Sequence, residues 1–174
     1  TRINAADCIY TGFADFYIPS RQVEELKHRL IETGSTECIQ QMAESPKPSN
    51  LQQQQVLIDE YYSGNSVQET ITKLSNSSEP WAIEQLHKLK QQSPLSLVCF
   101  HKLMAEVKSN PSLINALQLE YRYLHRSIAK GDFLEGVRAL IIDKDNQPQW
   151  RFPSIDSVPH DYAAMMLAPV DDLQ

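Results

Sequence analysis

Glycine, cysteine and long apolar runs are all scarce in this chain, and each scarcity removes a class of protein. Five glycines in 174 residues is a low count, and they fall mostly between helical patterns. Three cysteines, Cys8, Cys38 and Cys99, lie far apart with no C-x-x-C among them. That spacing argues against a disulfide framework or a zinc site, and the thiols read as reduced, with Cys99 in a core. No apolar stretch approaches the roughly 18 residues of a membrane span. Basic residues are outnumbered: 16 Lys and Arg against 22 Asp and Glu give a net charge of −6, which argues against a general nucleic-acid binder. No G-x-S-x-G, phosphate-binding loop, H-E-x-x-H or G-x-G-x-x-G occurs, and no repeat recurs at a fixed period. The chain opens Thr1-Arg2-Ile3-Asn4 without methionine or a leader pattern, which reads as a cut.

What is present is globular and helical. With 41% hydrophobic and 22% charged residues, the composition is that of a folded domain. Residues 5–11 suit a short helix ended by Gly12. Phe13 to Pro19 alternates and carries aromatic and β-branched residues, so it is the one strand candidate before residue 140. Ser20 is a candidate N-cap for a helix whose Val23, Leu26 and Leu30 share a face and which Gly34 stops. A weaker helix follows over 36–44, then a rigid Ser-Pro-Lys-Pro-Ser linker. Leu51, Ile58, Tyr61 and Tyr62 mark the next helix. Ser66 and Glu69 form an S-x-x-E capping box for another, and Asn76-Ser77-Ser78 is a loop.

Three further helices share one grammar, a polar residue before a proline at the first helical position: Glu79-Pro80, Ser93-Pro94 and Asn110-Pro111. Ile114, Leu117, Tyr121, Leu124 and Ile128 give the third an apolar stripe. Gly131 reads as a left-handed cap ending that helix. Asp132 then caps the next, with Glu135 as its capping-box partner. Gly136 sits inside this new helix at a cost of about 1 kcal/mol, which suggests close approach of another backbone or a ligand, or plain helix packing. A polar turn spans 143–147. Trp150, Phe152 and Pro153 anchor the chain before a last short helix opened by Asp156 or Ser157.

Candidate chemistry is thin. The histidines (His28, His87, His101, His125, His160) are scattered and read as surface or packing residues. The adjacent pairs Glu24/Glu25 and Asp171/Asp172 read as solvated. Arg122, Arg126 and Lys130 lie four apart and line one helix face, with Arg138 and Lys144 in the next element. Such a stripe suits phosphate groups, or else a helix C-terminus and water.

Three segments together resemble one family. Arg2 to Pro19 (RINAADCIYTGFADFYIP) is similar to the late core of the crotonase, or enoyl-CoA hydratase/isomerase, superfamily, where a helix leads into a strand. Ser93-Pro94-Leu95-Ser96-Leu97 is similar to the start of that family's next helix. Glu120-Tyr121-Arg122 followed by DFLEGVRALIIDKD (132–145) and Pro148-Gln149-Trp150 resembles the 3-hydroxyisobutyryl-CoA hydrolase branch. The extra helices over 36–78 also match that branch.

The resemblance implies a mainly α C-terminal half of a crotonase-type α/β protein, with at most a short strand remnant near 13–19. Residues 1–19 would be the tail of the core. Residues 20–174 would be a helical domain, with 36–78 a branch-specific insertion and 79–174 helices covering the acyl-CoA site and making oligomer contacts. It implies a parent acting on CoA thioesters, as in valine breakdown. The catalytic residues would lie upstream of Thr1, so the 174 residues alone would be inactive. Lys144 and Arg138 are the CoA-side candidates. The substrate's coenzyme A moiety would be the sole cofactor-like group, and no metal site is expected. Partners would be the N-terminal core, the acyl-CoA and further copies of the chain, without nucleic acid or membrane. The compartment would be cytoplasm in a bacterium or the mitochondrial matrix in a eukaryote, not the exterior. A hydratase or isomerase parent and a stand-alone helical interaction module are the alternatives.

Overall fold

The structure, a computed structural model, describes residues 2–170, so the Asp171/Asp172 pair lies outside the described residues. It is helical, and no strand forms among the described residues. The helices are α1 (Ala5–Tyr10), α2 (Val23–Thr33), α3 (Glu37–Met42), α4 (Asn50–Tyr62), α5 (Val67–Ser75), α6 (Pro80–Lys90), α7 (Pro94–Ser109), α8 (Leu113–Lys130), α9 (Phe133–Val137) and α10 (His160–Leu167). The chain packs as two compact units, Thr1–Glu60 and Tyr61–Gln174, and the helices expected over 36–78 divide between them.

In the first unit, Asp7 is the organising residue. Asn4 and Asp7 cap α1 reciprocally, each accepting the other's backbone N–H. The second Asp7 oxygen accepts from Ser49 Oγ at 2.7 Å and from the Leu51 N–H at 2.9 Å, fastening the start of α4 to α1. Those donors, Leu51 first, hold the buried Asp7 carboxyl below its ordinary value. The strand expected at 13–19 does not form. The segment has no neighbour strand to pair with among the described residues, Phe13 and Phe16 face solvent, and the Glu44 N–H, in the loop after α3, donates to the Tyr17 carbonyl. Ser20 does not cap α2 either. Ser20–Gln22 form a 3₁₀ turn, and α2 begins at Val23. Gly34 does end α2, at φ 61°, the left-handed geometry that favours glycine. Glu24 and Glu25 are exposed and pair with Lys27 and Arg29 on their own helix.

In the second unit the core is Leu95, Cys99, Ala163 and Met166, joining α7 to α10, with Tyr123 of α8 and Phe152 packed against it. Phe152 meets Tyr162 edge to face at 5.1 Å, so the expected aromatic anchor is seated. Burial raises the Cys99 thiol to about 12, consistent with an inert core thiol. Ser66 caps α5 by accepting the Glu69 N–H, but Glu69 reaches back to the Asn65 N–H, so the box closes one residue early. Pro80 and Pro94 open α6 and α7 as read. Pro111 does not open α8, because Ser112 takes the cap by accepting the Asn115 N–H.

The apolar stripe of α8 lies on its exposed face: Ile114, Leu117, Tyr121, Leu124 and Ile128 are all exposed, while Leu119, Tyr123 and Ser127 turn inward. The reading of its C-terminal glycine is corrected. Gly131 is not left-handed but extended, with φ −111° and ψ −159°. It is glycine because a Cβ there would lie 2.8 Å from both Cα and O of Ser127, a clash with backbone. The last helix starts later than expected, at His160, after a 3₁₀ turn at Ile155–Ser157.

Met166 is fully buried at the α7–α10 contact. Met166→Ala is expected to destabilise the protein by about 3 kcal/mol, the cost of deleting a buried side chain and leaving a cavity. Urea unfolding followed by tryptophan fluorescence checks it, and an unchanged midpoint would contradict the assigned core.

Candidate functional site

The site grows from the junction of α7, α8 and α9. Ser93 caps α7, its Oγ accepting the Ser96 N–H at 3.1 Å and donating to Asp132 Oδ2 at 2.5 Å. The other Asp132 oxygen accepts the Arg151 N–H at 2.8 Å. Both side chains are buried. Asp132 is therefore not the side-chain cap expected for α9. Its carboxylate instead joins the α7 cap, the α8–α9 corner and the segment carrying Trp150.

Above this junction lies a cleft of about 520 Å³. Leu97, Phe100, Leu124, Phe133, Leu140 and Ile141 give it an apolar wall. Its hydroxyls are engaged internally: Ser96 with Tyr123 at 2.7 Å, and Ser127 with the Leu124 carbonyl. Burial raises the Tyr123 phenol. Gly136 lines the cleft under Trp150, and a Cβ there would meet the indole at 3.8 Å, an ordinary contact. The neighbour anticipated for this glycine is thus a side chain rather than a second backbone.

Glu135 is not a capping-box partner. It receives Arg138 bidentately, Nε to Oε2 at 3.0 Å and Nη2 to Oε1 at 2.8 Å, plus the Gln149 N–H at 2.6 Å. Arg138 Nη1 donates to both Asp143 and Asp145 at 2.7 Å, and Nη2 to the Gln147 carbonyl at 3.1 Å. Every guanidinium N–H is thereby used within the chain. The residues between, Arg138–Ile142, wind as a π-helical turn that brings the acidic loop back over Arg138. Lys144 sits at its tip, exposed, with φ 55°, and Asn146 has φ 54°. No acidic partner holds the Lys144 ammonium among the described residues.

The basic stripe separates into different tasks. Arg126 donates to the carbonyls of Met166, Ala168 and Pro169, closing the C-terminus of α10. Arg122 Nε is buried with no hydrogen-bond partner among the described residues. Lys130 reaches the Met165 sulfur at 3.9 Å. The structure thus clamps Arg138, leaves Lys144 free at the tip of the loop that clamps it, and sends Arg126 elsewhere. Sequence reasoning missed Asp132 and Glu135 as network residues, because an N-cap and its N3 partner have the same one-dimensional spacing. Among the described residues no His, Cys, Asp and Glu group could hold a metal ion, and no helix is long and apolar enough to cross a membrane.

Arg138 above all, then the Gln149 N–H, holds the Glu135 carboxyl down to about 2, and Arg138 holds Asp145 below its usual range. An unfolded glutamate titrates near 4.5. Between those values the unfolded chain binds more protons, so this contribution is complete above 4.5 and is lost as pH falls toward 2. Glu135→Gln is expected to lower stability at neutral pH and to flatten the acid limb of stability against pH. Urea midpoints across that range test it, and profiles parallel to wild type would contradict the network.

The family model for enoyl-CoA hydratase/isomerase matches residues 1–167. The mitochondrial 3-hydroxyisobutyryl-CoA hydrolase of Danio rerio is 28% identical over 98% of this chain and 47% of its own length. The mitochondrial 3-hydroxyisobutyryl-CoA hydrolase-like protein 1 of Arabidopsis thaliana is 32% identical over 92% of this chain and 43% of its own. An enoyl-CoA hydratase from Rhodobacter sphaeroides superposes with TM-score 0.87 at 30% identity, covering 99% of this chain and 50% of that one. A carnitinyl-CoA dehydratase from Mycobacterium thermoresistibile gives 0.89 at 31%, covering 97% and 48%. The chain spans about half the length of the curated relatives it matches. With its distinctive segment folded as one clamped unit and a family match along nearly its whole length, the chain belongs to the enoyl-CoA hydratase/isomerase family.

Proposed function

We propose that this chain serves as the helical half of an acyl-CoA thioester hydrolase of the 3-hydroxyisobutyryl-CoA hydrolase kind. The observation that carries the reading is the segment 132–150. Its Glu135–Arg138–Asp143–Asp145 network is built from the residues that give the sequence its likeness to that branch. The hydrolase names of the curated relatives support it. Residues 79–174 would cover the acyl-CoA, with Lys144 toward the anionic CoA end and the apolar cleft toward less polar parts of the ligand. Thioester hydrolysis needs N–H donors aimed at the developing oxyanion and a base beside the attacked carbonyl. We assign both to a family core joined to this chain, because the cleft's own hydroxyls are committed to internal hydrogen bonds. In a eukaryote the protein would work in the mitochondrial matrix, in keeping with the mitochondrial hydrolases it resembles.

The exposed stripe of α8 supports the same assignment. Five large apolar residues on one helix face, next to exposed Phe133, Leu140 and Ile141, form a surface of the kind that marks an interface. We assign the family core as its occupant. The 174 residues alone would then pair through this face and sediment as a dimer or larger. Leu117→Glu with Leu124→Glu is expected to yield monomers, and a wild-type monomer at high concentration would count against the face.

A second reading, a hydratase or isomerase, is favoured by the hydratase and dehydratase that superpose on this chain. The deciding assay uses the product translated from the source gene. It measures thiol release from 3-hydroxyisobutyryl-CoA and the loss of the conjugated thioester of an enoyl-CoA. Thiol release supports the hydrolase, and hydration without release supports the alternative. The 174 residues alone are expected to turn over neither, and activity above a heat-killed control would overturn that assignment.

A further inference from the structure

Lys144 lies between two acids in sequence, Asp143 and Asp145, yet neither pairs with it. Both instead accept from Arg138 Nη1, each at 2.7 Å. A lysine flanked by free carboxylates would spend much of its time neutralised by them, and an approaching anion would meet two negative charges beside one positive. With Arg138 inserted, the two carboxylates are directed inward, against a guanidinium that Glu135 anchors from the other side. The loop meets this geometry by placing Lys144 and Asn146 in the left-handed region, a conformation that non-glycine residues adopt at a cost. Two backbone bonds hold it there, the Asp143 N–H on the Arg138 carbonyl at 2.8 Å and the Asn146 N–H on the Ala139 carbonyl at 3.1 Å.

We propose that Arg138 is a positioning residue for ligand binding. It sequesters the carboxylates of Asp143 and Asp145 and so leaves the Lys144 ammonium free for the phosphate-bearing end of coenzyme A. This rests on the reading above that Lys144 faces CoA, and it deepens it: Arg138 acts through the loop and touches no ligand itself. Its fork has no spare donor, whereas Lys144 has all three. A planar, multidentate cation is required at 138, because an ammonium cannot hold Glu135, Asp143 and Asp145 at once.

The experiment is calorimetric titration of the protein with coenzyme A, with amide exchange of residues 143–149 as an independent report on the loop. Lys144→Met is expected to weaken CoA on the order of fivefold, the worth of a partly exposed charged contact. Arg138→Met should weaken it by the same factor and speed exchange at Asn146 and Gln149, and the double variant should be no worse than either. Adding D143N and D145N to R138M should recover most of the affinity, because the competing carboxylates are gone. A purely structural role for Arg138 would not give that recovery. If R138M fails to fold, R138K carries the same test, since it keeps a charge against Glu135 but lacks the fork. Wild-type affinity in R138M with weakened binding in K144M overturns the sequestration while leaving the role of Lys144. Failure of the two asparagines to restore binding overturns it as well. Wild-type affinity in K144M removes the CoA reading of Lys144, and the inference with it.

Discussion

The Ser93–Asp132 hydrogen bond is where the separate pieces of the larger unit become one. Ser93 is both the cap of α7 and a donor to the buried carboxylate, so the start of α7 cannot shift without releasing Asp132. Asp132 in turn fixes the corner after Gly131, where the backbone passes too close to Ser127 for any side chain. Its second oxygen holds Arg151, which sets the Trp150 indole over Gly136. A buried carboxylate is tolerable because a hydroxyl and a backbone N–H satisfy it, and low polarity around it strengthens both bonds. The cleft lies beside this junction, with Ser93 and Asp132 in its lining.

The Arg138 network applies the same logic at the surface. Three carboxylates within an eleven-residue stretch would repel and unravel a loop. A single guanidinium converts them into its supports and stabilises two left-handed residues with them. The π-helical turn between Arg138 and Ile142 is part of that solution, since one wider turn brings Asp143 and Asp145 back over the side chain they bind. The result is an acidic stretch of sequence whose exposed tip is a free cation.

The sequence was legible where the signal was local. Helix positions followed from apolar spacing and from proline after a polar residue, and Gly34 and Ser93 did what their types suggest. Errors arose where a local pattern had two physical outcomes. Ser112 caps α8 by accepting the Asn115 N–H, which leaves Pro111 one residue before the cap instead of at the first helical position. Asp132 and Glu135 had capping-box spacing, but Asp132 took Ser93 and the Arg151 N–H, and Glu135 took the Arg138 guanidinium and the Gln149 N–H. Phe13 to Pro19 had strand composition, yet a strand needs a second edge to bond.

The sequence by itself determined that this is a helical chain, because periodicity and caps are properties of neighbouring residues, and its 132–150 segment carried the resemblance to the enoyl-CoA hydratase/isomerase family. Tertiary structure alone decided which face of α8 is buried, which cation is free and which is clamped. Leu119 and Leu124 are equally apolar, and Arg138 and Lys144 equally charged. Their fates differ because burial and pairing depend on which groups, distant in sequence, arrive alongside.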